Sequence, residues 1–325
     1  MRPRSFLFVV VAILMMVPDW TGWERLKLLG SHAVIHASRV PLDPTDHARR
    51  RVGRLTFLGG VELTSPDPAF GGFSALAVQG DRVTLLSDGG NIARFRLASD
   101  GQVSEAQFGN LPAGPGTGWR KMDRDSESLA IDPTTGAAWV GFERANSIWR
   151  FSEGFQLPKA HAQPPAMQRW LHNGGAESLV RRRDGSFVAI EEENSHGDGT
   201  RALLVWPGDP TARPDAAVSL RYRPPAGYDP ADATELPNGG LLVLNRSWGP
   251  PLRFATTLTV IERSTLRPGA TVGGRAIAQL AAPLTLDNYE GVAATVEAGR
   301  TIVWLVSDDN RAPFERTLLM KFRLD

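Results

Sequence analysis

SESLAIDPTTGAAWVGFERANSIWRF, residues 126–151, reads as a short strand of small residues, a glycine turn, a strongly apolar strand, a polar loop and a third alternating strand. The same order recurs four times: FSALAVQGDRVTLLSDGGNIARFRL from Phe73, AESLVRRRDGSFVAIEEEN from Ala176, ADATELPNGGLLVLNR from Ala231 and YEGVAATVEAGRTIVWLVSDDNR from Tyr289. Superposing Ser74, Glu127, Glu177, Asp232 and Glu290 spaces the units by 50–58 residues, the length of a four-stranded blade with its loops. The glycines of the intervening turns supply the positive φ that tight hairpins require. The second strands (VTLLS, AWVGF, FVAIE, LLVLN, IVWLV) are rich in β-branched and aromatic residues and suit burial on both faces. The pattern predicts an all-β protein, a β-propeller with five visible repeats; a degenerate sixth blade would fit within 152–172 or 207–227. A β-sandwich or two tandem β-domains is the alternative, but such folds seldom repeat one strand–turn–strand unit five times.

Two features mark the ends of this unit. The chain stops at KFRLD, just after the third strand of the last repeat, while an unpaired run, RLTFLGGVEL, precedes the first. Residues 54–63 are therefore expected to complete the last blade and remove its exposed edge. Ahead of them, MRPRS followed by FLFVVVAILMMV is basic and then apolar for about a dozen residues, the length of a signal peptide rather than of a membrane span. No clean small-x-small cleavage site follows, so an uncleaved anchor is the second reading. Residues 1–50 are read as export signal or anchor plus linker, and 51–325 as the propeller. A periplasmic or secreted monomer is the expected product.

Composition narrows the chemistry. A formal charge of +1 over 325 residues lacks the basic excess of nucleic-acid binders. With no cysteine and six histidines, thiol catalysis and thiolate metal sites are excluded and a multi-histidine site is disfavoured. His196, in a Gly-rich polar loop, reads as solvated. No G-x-S-x-G, P-loop, dinucleotide fingerprint or H-E-x-x-H is present. The tryptophans, among them Trp139, Trp149, Trp206, Trp248 and Trp304, fall mostly within blades, where packing is the default expectation.

Acidic residues recur with the repeat. In an antiparallel meander the start of the first strand and the end of the second share one edge. Glu127, Glu177, Asp232 and Glu290, with Ser74 in the first unit, should therefore converge with the second-strand ends Asp88, Glu143, Glu191, Asn245 and Asp308 at one mouth of the channel. Such crowding requires protons, arginines or a cation, and an all-oxygen donor set favours Ca²⁺ or a similar divalent ion. Glu127, Glu177, Asp232, Glu290, Asp88 and Asp308 are the candidate ligands. Each taken singly could equally pin its own blade through backbone hydrogen bonds. Arg144, Arg246 and Arg311 directly follow second-strand ends and suit recognition of an anion, or pairing with the neighbouring acids.

DRDSESLAIDP, GFERANSIWRF, GGAESLVRRRDGSFVAIEEEN and LDNYEGVA resemble the phytase-like propellers described as "esterase-like activity of phytase", over about residues 54–325. The resemblance implies an exported bacterial propeller and hydrolysis of a phosphoester or carboxylester. Glu127, Glu177 and Glu290 match the family's acidic words; Ser74 and Asp232 depart from them. The R-H-G-x-R-x-P signature of histidine acid phosphatases is missing, which leaves a metal-dependent route. The leading expectation is a metal-assisted hydrolase of a small anionic ester, with Glu127, Glu290, Arg144, Arg246 and Arg311 as catalytic candidates. A non-catalytic envelope ligand-binding propeller and a metal-dependent lactonase-type propeller are the alternatives.

Overall fold

The computed structural model describes residues 25–193, 197–249 and 253–325. The expected signal or anchor falls largely in residues 1–24, outside that set, as does His196. Five sheets are present, each built as an antiparallel meander. Blade one comprises Phe73–Gln79, Arg82–Ser87, Asn91–Leu97 and Val103–Asn110; blade two comprises Ser126–Ile131, Ala138–Phe142, Ser147–Phe151 and Pro158–Ala162. Ala176–Arg181, Phe187–Glu191, Arg201–Trp206 and Val218–Arg223 form blade three, with Thr271–Gly273 added in parallel at its outer edge. Blade four is Asp229–Glu235, Leu241–Gly249, Arg253–Ile261 and Arg275–Leu280. The segments that left room for a sixth blade contain the fourth strands of blades two and three, so the count is five.

Blade five joins the two ends of the chain. Asn288–Glu297, Arg300–Asp308 and Thr317–Leu324 are completed by Leu55–Thr64, which pairs antiparallel with the last strand from Thr317↔Leu63 to Leu324↔Leu55. The expected closing strand is therefore present. His36–Arg39 pairs in turn with Leu55–Thr64, and Leu42 is fully buried in the adjoining core. The folded unit thus begins ahead of residue 51, the boundary expected from sequence, because that boundary was set by the basic and apolar leader and not by pairing. Among the described residues no helix is long and apolar enough to cross a membrane.

The apolar second strands explain why the disc holds together. In Phe187–Glu191, Phe187 and Ala189 pack towards blade two, whereas Val188 and Ile190 pack towards blade four. Alternate side chains point to opposite faces of a strand, so each sheet feeds two interfaces. Five hydrophobic clusters result, one at every blade–blade contact. The first strand of each blade lies innermost and packs against the first strands of both neighbours. Hydrogen bonds stitch this inner ring: Ser74 Oγ donates to the Ser126 carbonyl at 2.8 Å, and Ser128 Oγ to the Ala176 carbonyl at 2.7 Å.

Candidate functional site

Every inner strand carries one bulge, at the same place relative to its second strand. The register skips Ser74, Glu127, Glu177, Ala231 and Glu290 in blades one to five. A bulged residue leaves the alternation of the strand and is re-aimed. Glu127, Glu177 and Glu290 are thereby directed into a cavity of about 640 Å³ at the channel mouth. Two more positions repeat with the bulge. The residues that follow the partner of the pre-bulge residue are Asp88, Glu143, Glu192, Arg246 and Asp308, and all five line the cavity. Opposite them lie Gly72, Asp125, Gly175, Asp229 and Asn288, of which Asp125, Asp229 and Asn288 also line it. Glycine at 175 is a close-approach requirement, since a Cβ there would lie 3.0 Å from the Glu143 carbonyl oxygen.

This register corrects three expectations. Asp232 sits one residue beyond the bulge, and in a strand one residue reverses the side chain. It does not line the cavity; its two carboxylate oxygens accept the Ala233 and Val292 amides, each at 2.7 Å, which ties blade four to blade five. Glu191 and Asn245 are displaced in the same way. Glu191 is buried with one oxygen accepting the Ala202 amide, and Asn245 is bonded to Tyr222, Val243, Thr257 and Thr259. Their neighbours Glu192 and Arg246 take the cavity positions instead.

The arginines also separate. Arg144 pairs with Asp125 at 2.6 Å and Arg311 lies 3.6 Å from Asp88, each behind the acid it contacts and outside the cavity lining. Arg246 alone of the three lines the cavity. Its guanidinium pairs with Glu192 at 2.7 Å and with Glu290, and reaches Asn288 Oδ1 at 3.2 Å. In this arrangement its guanidinium bridges Glu192 and Glu290 across the cavity. The second cation is Lys121, whose Nζ lies 2.5 Å from Asp88 Oδ2. Nothing in the repeat pattern marks Lys121, because it comes from the connection between blades one and two.

Among the described residues ten carboxylates and two cations line the cavity, so like-charge repulsion dominates its electrostatics. Burial, reinforced by Asp125, Glu143, Asp88 and Glu290, holds the Glu127 carboxyl well above the usual range. Glu177 is raised by burial and by Glu192 and Glu127, and Asp308 by burial with Glu290 and Asp88. For Glu290, burial outweighs the opposing charge of Arg246. Glu143 is pushed up to about 8 by burial with Asp125 and Glu192. Burial works against the Lys121 ammonium, but Asp88, Asp308 and Glu127 raise its pKa and keep it charged.

The donor set fits a hard divalent cation. Asp125, Glu127 and Glu143 each offer an oxygen within 4.8 Å of the others, as do Glu143, Glu177 and Glu192. That span is about twice a Ca–O distance of ~2.4 Å, so each triad can share one ion, and Glu143 belongs to both. Of the expected ligands, Glu127 and Glu177 fall in the triads, while Asp88, Glu290 and Asp308 line the same cavity outside them. The sequence reading missed Glu192, Asp229, Glu315 and Lys121, and left Asp125 and Glu143, members of the triads, off the list of expected ligands. A signal for Asp229 was available: DPA at 229–231 repeats the spacing of DSE at 125–127 and NYE at 288–290. Trp248 departs from its packing expectation, being 65% exposed on the rim beside Phe254.

Among solved structures the chain is similar to hydrazine synthase from Kuenenia stuttgartiensis (12% identity, TM-score 0.39, covering 73% of this chain and 77% of that one). It is also similar to a β-propeller domain from Myceliophteria thermophila (9% identity, TM-score 0.41, 88% and 99% covered). A third likeness is to a functionally unknown protein from Desulfotomaculum acetoxidans (11% identity, TM-score 0.38, 77% and 72% covered). No curated protein matches the chain. The family model described as "Phytase-like: Esterase-like activity of phytase" matches residues 68–311, most of the chain, and the protein belongs to that family.

Proposed function

We propose that this propeller is an exported, divalent-cation-dependent hydrolase of small anionic esters, with phosphomonoesters as the first substrate class and Ca²⁺ as the ion. One observation carries the reading: two carboxylate triads of metal-ligand spacing share Glu143 in a cavity that also holds Lys121. Membership of the phytase-like family supports a hydrolase-like propeller, and the basic–apolar leader supports export. Asp125, Glu127, Glu143, Glu177 and Glu192 would hold the cation. A divalent ion held by them would supply Lewis-acid polarisation and lower the pKa of a water.

The chain's own residues supply the rest. Arg246 fixes Glu192 and Glu290 relative to one another, so the acids on blades three and five are held by a group on blade four. Lys121 uses one donor on Asp88 and has two more for an anionic oxygen. Trp248 and Phe254 provide an apolar wall for the uncharged part of the ester. Purified protein assayed with phytate, aryl phosphates and aryl acetates, with calcium or with chelator, tests this. Calcium-dependent turnover that is lost in Glu143→Gln and in Glu127→Gln/Glu290→Gln is expected. Calcium binding with no ester turned over would transfer the assignment to a non-catalytic ligand-binding propeller.

A further inference from the structure

A second cavity, of about 750 Å³, lies between blades five and one. It opens on the face that carries the turns at 80–81 and 298–299, at the far ends of strands whose other ends form the acidic mouth. Its volume is that of a small-molecule site, and its floor is apolar: Phe57, Val61, Trp304 and Leu319 are buried there, and Leu58, bulged out of the closing strand, is 47% exposed.

The charges around this floor are unevenly paired. Lys321 is neutralised by Glu297 at 2.8 Å while its ammonium lies 4.6 Å from the Trp304 ring centroid, and Asp81 is neutralised by Arg96 at 2.7 Å. Arg39 and Arg50 differ. Arg39 donates to the Asp100 carbonyl from Nε at 2.9 Å and also from Nη2, and Arg50 Nη1 donates to the His47 carbonyl at 2.9 Å and to the Arg49 carbonyl at 3.3 Å. Among the described residues neither forms an ion pair. Two guanidinium groups at an apolar cavity select for a ligand with an apolar body and an anionic head.

Gly59 points the same way. Glycine within a strand weakens it, so its presence calls for a cause. Gly60 has one: a Cβ there would meet Met320 Sδ at 2.5 Å and Val40 Cγ2 at 3.1 Å. At Gly59 nothing lies within 4 Å of a built Cβ, and no close approach requires glycine. Gly59 directly follows the bulged Leu58 and lines the cavity, so a side chain there would project into open space at its wall.

We propose that this cavity is a binding site for a small amphipathic anion, a medium-chain or aryl carboxylate or sulfonate, separate from the acidic mouth and independent of divalent cations. The test is fluorescence titration of the full chain with 8-anilinonaphthalene-1-sulfonate in chelator, followed by competition with octanoate and with octylamine. Saturable binding displaced by octanoate and not by octylamine is expected. Gly59→Leu, whose side chain would occupy the cavity, should abolish it with the thermal midpoint retained. Arg39→Ala/Arg50→Ala should weaken it at least about tenfold, from the loss of charge-assisted hydrogen bonds, and Glu143→Gln should leave it unchanged. Absence of saturable binding to the wild type, equal displacement by octylamine, or wild-type binding by folded Gly59→Leu would overturn the proposal. Should Gly59→Leu fail to fold, the arginine pair and the competition decide it.

Discussion

Asp232→Ala and Glu177→Gln remove acids that look equivalent in the sequence, and the structure assigns them opposite effects on stability. Asp232 accepts two amides at 2.7 Å, one of them from the neighbouring blade, and is buried. Burial raises the Asp232 carboxyl well above the usual range while the two amides pull it down; such hydrogen bonds contribute about 1 kcal/mol each to a neutral acceptor and about 1.5–3 kcal/mol to a charged one, so their joint loss should cost about 2–6 kcal/mol. With an unfolding entropy of about 2.1 cal/mol/K per residue, a chain of this length loses about 0.7 kcal/mol of stability per degree near its midpoint, and the midpoint should fall by roughly 3–9 °C. Calcium affinity should be unchanged. Glu177 instead faces Glu192, Glu127 and Glu143. Its neutralisation relieves repulsion, so the cation-free midpoint should hold or rise while calcium affinity falls. Thermal unfolding in chelator and across a calcium series measures both quantities. A harmless Asp232→Ala that loses its calcium response would refute the assignment by register.

Three further outcomes follow from the same geometry. Glu143 titrates near 8 in the folded protein against an ordinary 4.5, so between those values the native state holds a proton that the unfolded chain has released; cation-free stability should fall as pH rises through that window, and saturating calcium should flatten the dependence. Lys121→Met should lower kcat/KM on a phosphomonoester by about a hundredfold, the scale of losing one donor to developing negative charge, whereas Arg144→Ala and Arg311→Ala, behind the cavity wall, should change it little. Removal of residues 1–64 deletes the strand paired with Thr317–Leu324 and exposes an apolar edge; size-exclusion chromatography should show aggregate that the intact chain does not form.

The blade repeat was legible because two-sided burial forces a recognisable apolar second strand, as in FVAIE and IVWLV, and because glycine turns bracket it. The closing strand was legible for a related reason, since a propeller with one strand short at the C-terminus needs it from the other end. A bulge leaves no such trace. The pairing of Ala231 and Asp232 with the ESL words differs by one residue, and only the hydrogen-bond register shows that Ala231 holds the position of Glu127. The run of three glutamates at 191–193 is ambiguous for the same reason: pairing with Ala176 places Glu191 in the interior and Glu192 at the cavity. Lys121 lies outside any strand, where period-two reasoning has nothing to say. Side-chain competition was equally invisible, and it is what directs Arg144 to Asp125 and Arg246 to Glu192 and Glu290.

Calorimetric titration of Ca²⁺ into the wild type and Glu143→Gln, at neutral pH in buffers of different ionisation enthalpy, tests the shared-carboxylate centre most directly. Two triads meeting at a raised-pKa Glu143 predict binding coupled to proton release, with affinity and released protons both reduced in the variant. Wild-type protein that binds no calcium at millimolar concentration, or a Glu143→Gln protein that binds it with unchanged affinity and proton release, would contradict the account.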